Sequence, residues 1–124
     1  MNTNDTRPTV WVGHVAMYTP GVTQSSEFMQ LLGMRLVADG GEFAVLEMRG
    51  GTHLVLTSNP DSALIKADFD LMVEDLDATH ARYTELGLDP GDIERGEIHD
   101  NFELREPGGT VITINSSHVG KSPV

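Results

Sequence analysis

The chain has 124 residues, 39% of them hydrophobic and 22% charged, with a formal net charge of −11 and no cysteine. That length suits one domain able to bury about two-thirds of its unfolded surface. The charge argues against a nucleic-acid partner, whose phosphates would be repelled, and the missing cysteines exclude a disulfide framework, a thiolate nucleophile and a cysteine zinc site.

Met1–Pro8 is polar and reads as a frayed tail without the apolar core of a signal peptide. No apolar run approaches the roughly 18–20 residues needed to cross a bilayer, so the expectation is a cytoplasmic protein with no membrane partner. Val10–Thr19 mixes β-branched, aromatic and small apolar residues and reads as a strand, broken by Pro20-Gly21. From Val22 the spacing turns helical, with Val22, Met29 and Leu32 on one face and Gly33 suited to close the helix. Met34–Ala38 is a short strand, and Asp39-Gly40-Gly41 signals a hairpin into Phe43–Met48. Thr52–Thr57 follows across Arg49-Gly50-Gly51.

Asn59-Pro60-Asp61 opens a linker that runs through Lys66. Phe69–Val73 is the next strand, and Asp75 or Asp77 can cap a helix reaching Leu86. Gly87 closes it, and Asp89-Pro90-Gly91 forbids its continuation. Ile93–Ile98 reads as a charged edge strand. Asn101–Arg105 and Thr110–Asn115 form a last hairpin turned by Glu106-Pro107-Gly108-Gly109, before a loose tail. Residues 68–106 hold 13 of the 19 acidic residues and three of the eight basic ones. A solvated acidic face that aids solubility is preferred to a cation-steering field.

Two stretches are alike. Gly13–Met34 laid over Ala67–Leu88 puts His14 on Asp68, Met17 on Leu71, Leu32 on Leu86 and Gly33 on Gly87. Gly50–Leu56 likewise falls on Gly108–Ile114. Each copy reads strand, helix, strand, strand, strand, and such self-similarity points to tandem modules. The organisation expected is one domain: module one over 10–58, a linker over 59–66, module two over 67–116, and tails at 1–9 and 117–124. One module leaves a sheet face wet, and a second copy can cover it.

His14 in GHVAMYT, the helix ending in LLGM, the segment FDLMVEDLDATHARYTELGL and the hairpin REPGGTVITI together resemble the vicinal oxygen chelate superfamily. That group holds glyoxalase I, extradiol dioxygenases and the bleomycin-resistance proteins. The resemblance implies an α+β fold of two βαβββ modules forming a curved mixed sheet with a cleft. It also implies a homodimer that brings half-sites together. In metal-dependent members four ligands come from the first and fourth strands of each module. Carried onto this chain, those positions are His14, Val55, Asp68 and Thr113.

Val55 cannot ligate and Thr113 is a weak neutral donor, so both are expected to shape a pocket wall. His53, two residues before Val55 and on the same strand face, could join His14 and Asp68 in a two-histidine, one-carboxylate set for Zn, Ni, Fe or Mn. Against that, His53 lies over Val111 in the repeat, and His14 could be a histidine bonded to neighbouring groups. Asp68 could be a solvated carboxylate. Tyr18 and Phe102 could reach the cleft. His99, beside Asp100, is either an oriented imidazole at the cleft mouth or a plain loop residue. Arg49 and Arg105 either pin an anionic ligand or answer Glu47 and Glu103. His80 and His118 are read as surface and tail residues.

Two function classes stay open. One is a binding protein that holds a small organic ligand without the full four-ligand metal site. The other is a divalent-metal enzyme of lyase, isomerase or dioxygenase type built on His14, Asp68 and His53.

Overall fold

The structure, a computed structural model, describes residues 4–62 and 66–124. The first three residues of the amino-terminal tail and residues 63–65 of the expected linker lie outside the described residues. In chain order the elements are β1 (His14–Thr19), α1 (Val22–Leu32), β2 (Arg35–Asp39), β3 (Phe43–Glu47), a 3-10 turn (Arg49–Gly51), β4 (His53–Ser58), β5 (Leu71–Val73), α2 (Leu76–Glu85), β6 (Asn101–Arg105) and β7 (Val111–Ser116).

The first sheet has four strands in the order β1-β4-β3-β2, with β1 and β4 parallel and the other pairs antiparallel. The side-chain period of two divides it cleanly. Met17, Leu54, Leu56, Ala44 and Leu46 are buried on one face, against which α1 lays Val22, Phe28 and Met29. His14, Ala16 and Tyr18 stand on the opposite face and are exposed. The second sheet has three strands in the order β5-β7-β6. Leu104, Ile112 and Ile114 from it join the first module's apolar residues in one core, with Tyr83 of α2.

Both helices end alike, as the repeat requires. Gly33 has φ 121° while Met34 N–H donates to Met29 O; Gly87 has φ 77° while Leu88 N–H donates to Tyr83 O. A positive φ is cheap only for glycine, so Leu-Gly marks the same stop twice. The starts differ. Asp75 accepts from Ala78 N–H at 3.0 Å as a side-chain cap, whereas α1 begins at Gly21 without one.

Two expectations are corrected. The strands do not form one curved mixed sheet: they form two separate sheets, neither closed nor strongly curled. Ile93–Ile98 is not a strand, and its only ladder contact is an isolated bridge between Glu94 and Asn101. The reason is charge. Arg95 is drawn into ion pairs with Asp77 at 2.6 Å and Asp100 at 2.9 Å, Gly96 N–H bonds Asp100, and Ile98 is left 80% exposed. These pairs hold the Asp77 carboxyl below its usual range and the Arg95 guanidinium above its own. The first strand of the second module also shortens to Leu71–Val73. Its ladder to β7 breaks between the Lys66–Val111 bridge and Leu71, with a bend at Asp68 and Phe69.

The modules are tied by buried polar contacts. Tyr83 Oη donates to Leu32 O at 2.8 Å, joining the ends of the two helices. Glu106, 2% exposed, accepts from Ser25 Oγ at 3.1 Å and from Gly108 N–H, and Ser25 Oγ lies 2.8 Å from Thr19 Oγ1. A Cβ on Gly108 would fall 2.6 Å from both Glu106 Oε1 and Thr19 Oγ1, so the turn passes only as glycine. Glu106→Ala removes the carboxylate that meets a hydroxyl and an N–H in the interior. It is expected to lower stability by about 2–3 kcal/mol, against about 1 kcal/mol for Ser25→Ala. Urea denaturation followed by circular dichroism checks this; equal losses would show that Glu106 does not hold the tie.

Candidate functional site

Strand register gathers four side chains on the open face of the first sheet. His14 of β1 is paired with His53 of β4, His53 with Glu47 of β3, and Glu47 with Arg35 of β2. Residues directly opposite each other in a sheet point to the same side, so the four form a row across all its strands. The His14 and His53 rings meet edge to face with centroids 5.7 Å apart. His53 Nε2 donates to Glu47 Oε2 at 3.3 Å, and Arg35 pairs with the other Glu47 oxygen. Arg35 first, then His53, hold the Glu47 carboxyl below the ordinary glutamate range.

Sequence reasoning undervalued His53 and missed Glu47 and Arg35. Matching the repeats emphasised Val55, which in the sheet is paired with Ala16 and Val45 instead. The available signal was strand alternation, which puts His14, His53 and Glu47 each on an open face. Which rungs coincide depends on pairing between distant segments.

The remaining positions do not gather around His14. Tyr18 shares its face, paired with Thr57 two rungs beyond Ala16, and is 53% exposed. Asp68 is exposed in the bend before β5. Thr113 lies in a separate polar cavity of about 600 Å³ with Lys66, Glu94, Asn101 and Glu103, all from residues 66–113. Phe102 also borders it, yet is only 1% exposed, its ring packed edge-on against His80 and Tyr83. Arg49 pairs with Glu74 at 2.7 Å rather than with Glu47, and Arg105 donates to Gly109 O at 2.9 Å. His99 donates through Nδ1 to Ser116 O at 2.7 Å, while Asp100 is engaged by Arg95. His80 donates to Gly91 O at 2.8 Å.

Between the modules runs a mainly apolar groove of about 500 Å³. Val12, Val15, Leu32, Met34 and Met48 line it from the first module, and Phe69, Leu71, Val73 and Tyr83 from the second. Arg49, Thr52 and Asp70 supply its polar groups.

The four-ligand metal set does not fit. Val55 offers only hydrocarbon, Thr113 a neutral hydroxyl in a different cavity, and Asp68 a solvated bend. Among the described residues no group of three or more His, Cys, Asp or Glu gathers closely enough to hold a metal. No helix among the described residues is long and apolar enough to cross a membrane.

No family model matches the chain, and neither does any curated protein. Solved structures do share its fold. A lactoylglutathione lyase from Agrobacterium tumefaciens superposes with a TM-score of 0.75 at 16% identity, over 90% of this chain and 97% of that one. A member of the glyoxalase/bleomycin resistance protein/dioxygenase superfamily from Sphaerobacter thermophilus gives 0.73 at 15%, over 87% and 98%. A bleomycin-binding protein complexed with bleomycin gives 0.65 at 17%, over 88% and 99%. At these identities the likeness establishes the glyoxalase/bleomycin-resistance/dioxygenase fold.

Because the folded-state pKa of Glu47 is depressed, its pairing contributes stability above the unfolded glutamate value. That contribution is lost as pH falls through the lower folded value. In a carboxyl-resolved NMR titration, Glu47 is expected to titrate below ordinary glutamates. Arg35→Ala should raise its midpoint more than His53→Ala does, and the reverse order would show that the histidine dominates.

Proposed function

We propose that this chain is a small-molecule-binding protein that takes a largely apolar organic ligand into the groove between its two modules and works without a four-ligand metal site. The observation that carries this reading is the groove. Its volume falls within the roughly 300–1,000 Å³ typical of ligand pockets. Apolar walls from both modules would desolvate a ligand, while Arg49, Thr52 and Asp70 would orient its polar end. Arg49 is a usable anchor because its partner Glu74 is exposed and exchangeable with solvent. The fold is shared with a bleomycin-binding protein as well as with a lactoylglutathione lyase, so it accommodates a binding role and leaves the choice to the groove.

The domain is proposed to comprise both modules, in the cytoplasm, and to act as a homodimer. Tyr18, Phe43 and Val37 stand exposed on the first sheet, and a second copy would cover them.

The test is titration with the fluorescent apolar anion anilinonaphthalene sulfonate. Saturable binding is expected, weakened at least about five-fold (about 1 kcal/mol) by Met48→Trp, which fills the groove, and unchanged by Tyr18→Ala. Binding that ignores Met48→Trp would remove the groove from consideration. Sedimentation of the same samples checks the dimer.

The neighbouring rings of His14 and His53 favour a second reading, a divalent-metal lyase, isomerase or dioxygenase in which these two histidines hold the ion and Asp68, which does not stand beside them, takes no part. Metal analysis of protein purified without chelator decides between them. About one Zn, Ni, Fe or Mn per chain, lost in His14→Ala, would put the enzyme reading first.

A further inference from the structure

A second histidine pair lies where the tail after β7 folds back beside β5. His99 Nε2 and His118 Nδ1 are 3.4 Å apart, their rings edge to face with centroids 5.2 Å apart. The His99 ring is oriented by a partner of one kind. Ser116 O can only accept, so His99 Nδ1 carries the proton, and in the neutral ring Nε2 is left as the free lone pair. That lone pair points at His118. The segment bearing His118 is itself held, since His118 N–H donates to Met72 Sδ at 3.5 Å. The root of the tail is fixed by Asp100 N–H to Ser116 Oγ and Ser116 N–H to Asp100 O, both 2.9 Å.

We propose that His99 and His118 form a binding site for a late first-row divalent cation, Zn²⁺ above all, which clips the carboxy-terminal tail to the second sheet. Two imidazole nitrogens on one tetrahedral zinc, each about 2.0–2.1 Å from the metal, stand about 3.3–3.4 Å apart; at adjacent corners of an octahedron they would stand about 2.9 Å apart. The observed 3.4 Å matches the tetrahedral case. The His99–Ser116 bond is also what a metal-bound histidine uses: its second nitrogen donates to a backbone carbonyl, which fixes the tautomer and raises the basicity of the ligating atom. Two neutral rings at this spacing can share a single hydrogen bond from His118 Nδ1 to His99 Nε2; Zn²⁺ binding takes the His118 tautomer protonated on Nε2, which frees the Nδ1 lone pair with no net proton release. Water completes the coordination. The site is separate from the His14–His53 row, and its residues do not line the groove.

Calorimetric titration of the full chain with Zn²⁺ alone tests this, with Co²⁺ as a spectroscopic stand-in. One Zn²⁺ per chain is expected, with affinity reduced at least about ten-fold in His118→Ala and in His99→Ala, and unchanged in the His14→Ala, His53→Ala double variant. His118 is exposed, so its substitution leaves the fold intact even if that of His99 does not. Co²⁺ should give the intense visible bands of a four-coordinate site. Absence of Zn²⁺ binding, wild-type affinity in His118→Ala, a loss that follows His14 and His53, or only the faint bands of six-coordinate Co²⁺ would each overturn the proposal. None of these outcomes bears on the groove, which is read by the organic probe.

Discussion

Within the apolar core that the two modules share, one buried carboxyl group ties them by hydrogen bonds. Glu106 sits at the turn between β6 and β7, and its partners are the N–H of its own turn and a hydroxyl near the start of α1. Both bonds fall on Oε2, while the buried Oε1 has no hydrogen-bond partner among the described residues, so the tie leaves one interior polar atom unsatisfied. Through Ser25 and Thr19 it fixes where the last hairpin of one module meets the first strand and helix of the other. Tyr83 and Leu32, bonded to each other at the ends of the helices, both line the groove.

The two faces of the first sheet have separate duties. Its inner face, Leu46, Leu54 and Leu56 under α1, supplies apolar burial. Its open face carries a polar row in which Arg35 and His53 both lean on Glu47. These members bond one another at the sheet surface. Its exposed pairs add little to stability, so it can be changed without unfolding the protein. The groove is apolar and shared by both modules, and there the free energy of desolvation can serve a ligand. The proposed binding role draws on the groove and not on the histidine row.

The elements themselves were legible. Spacing of Val22, Met29 and Leu32, closed by Gly33, marked α1 to its last residue, and alternation marked β6 without error. Local chemistry suffices there, because a helix stop or an alternating strand is decided within a few residues. Ile93–Ile98 misled because a charged run between two isoleucines resembles an edge strand. Arg95 instead found two aspartates, one on α2 and one before β6, and the backbone followed it. The single curved sheet misled for a related reason: a repeat shows that two units are alike but not whether their strands join. At the candidate site, His14 stood out from its segment alone, whereas Glu47 resembled any strand carboxylate and His118 any tail residue.

The amino-acid sequence by itself determined both helices with their glycine stops and the strands of the first sheet, save that β1 begins at His14 and not at Val10, since each follows from side-chain period and backbone preference along the chain. Only the tertiary structure decided that His14 stands beside His53 rather than Val55, that the modules keep separate sheets, and that the tail returns His118 to His99. Those facts rest on the register of strands some 40 residues apart and on the docking of a tail across a sheet. Long-range packing chooses them by the contacts the whole chain can satisfy at once, and no local pattern records that choice.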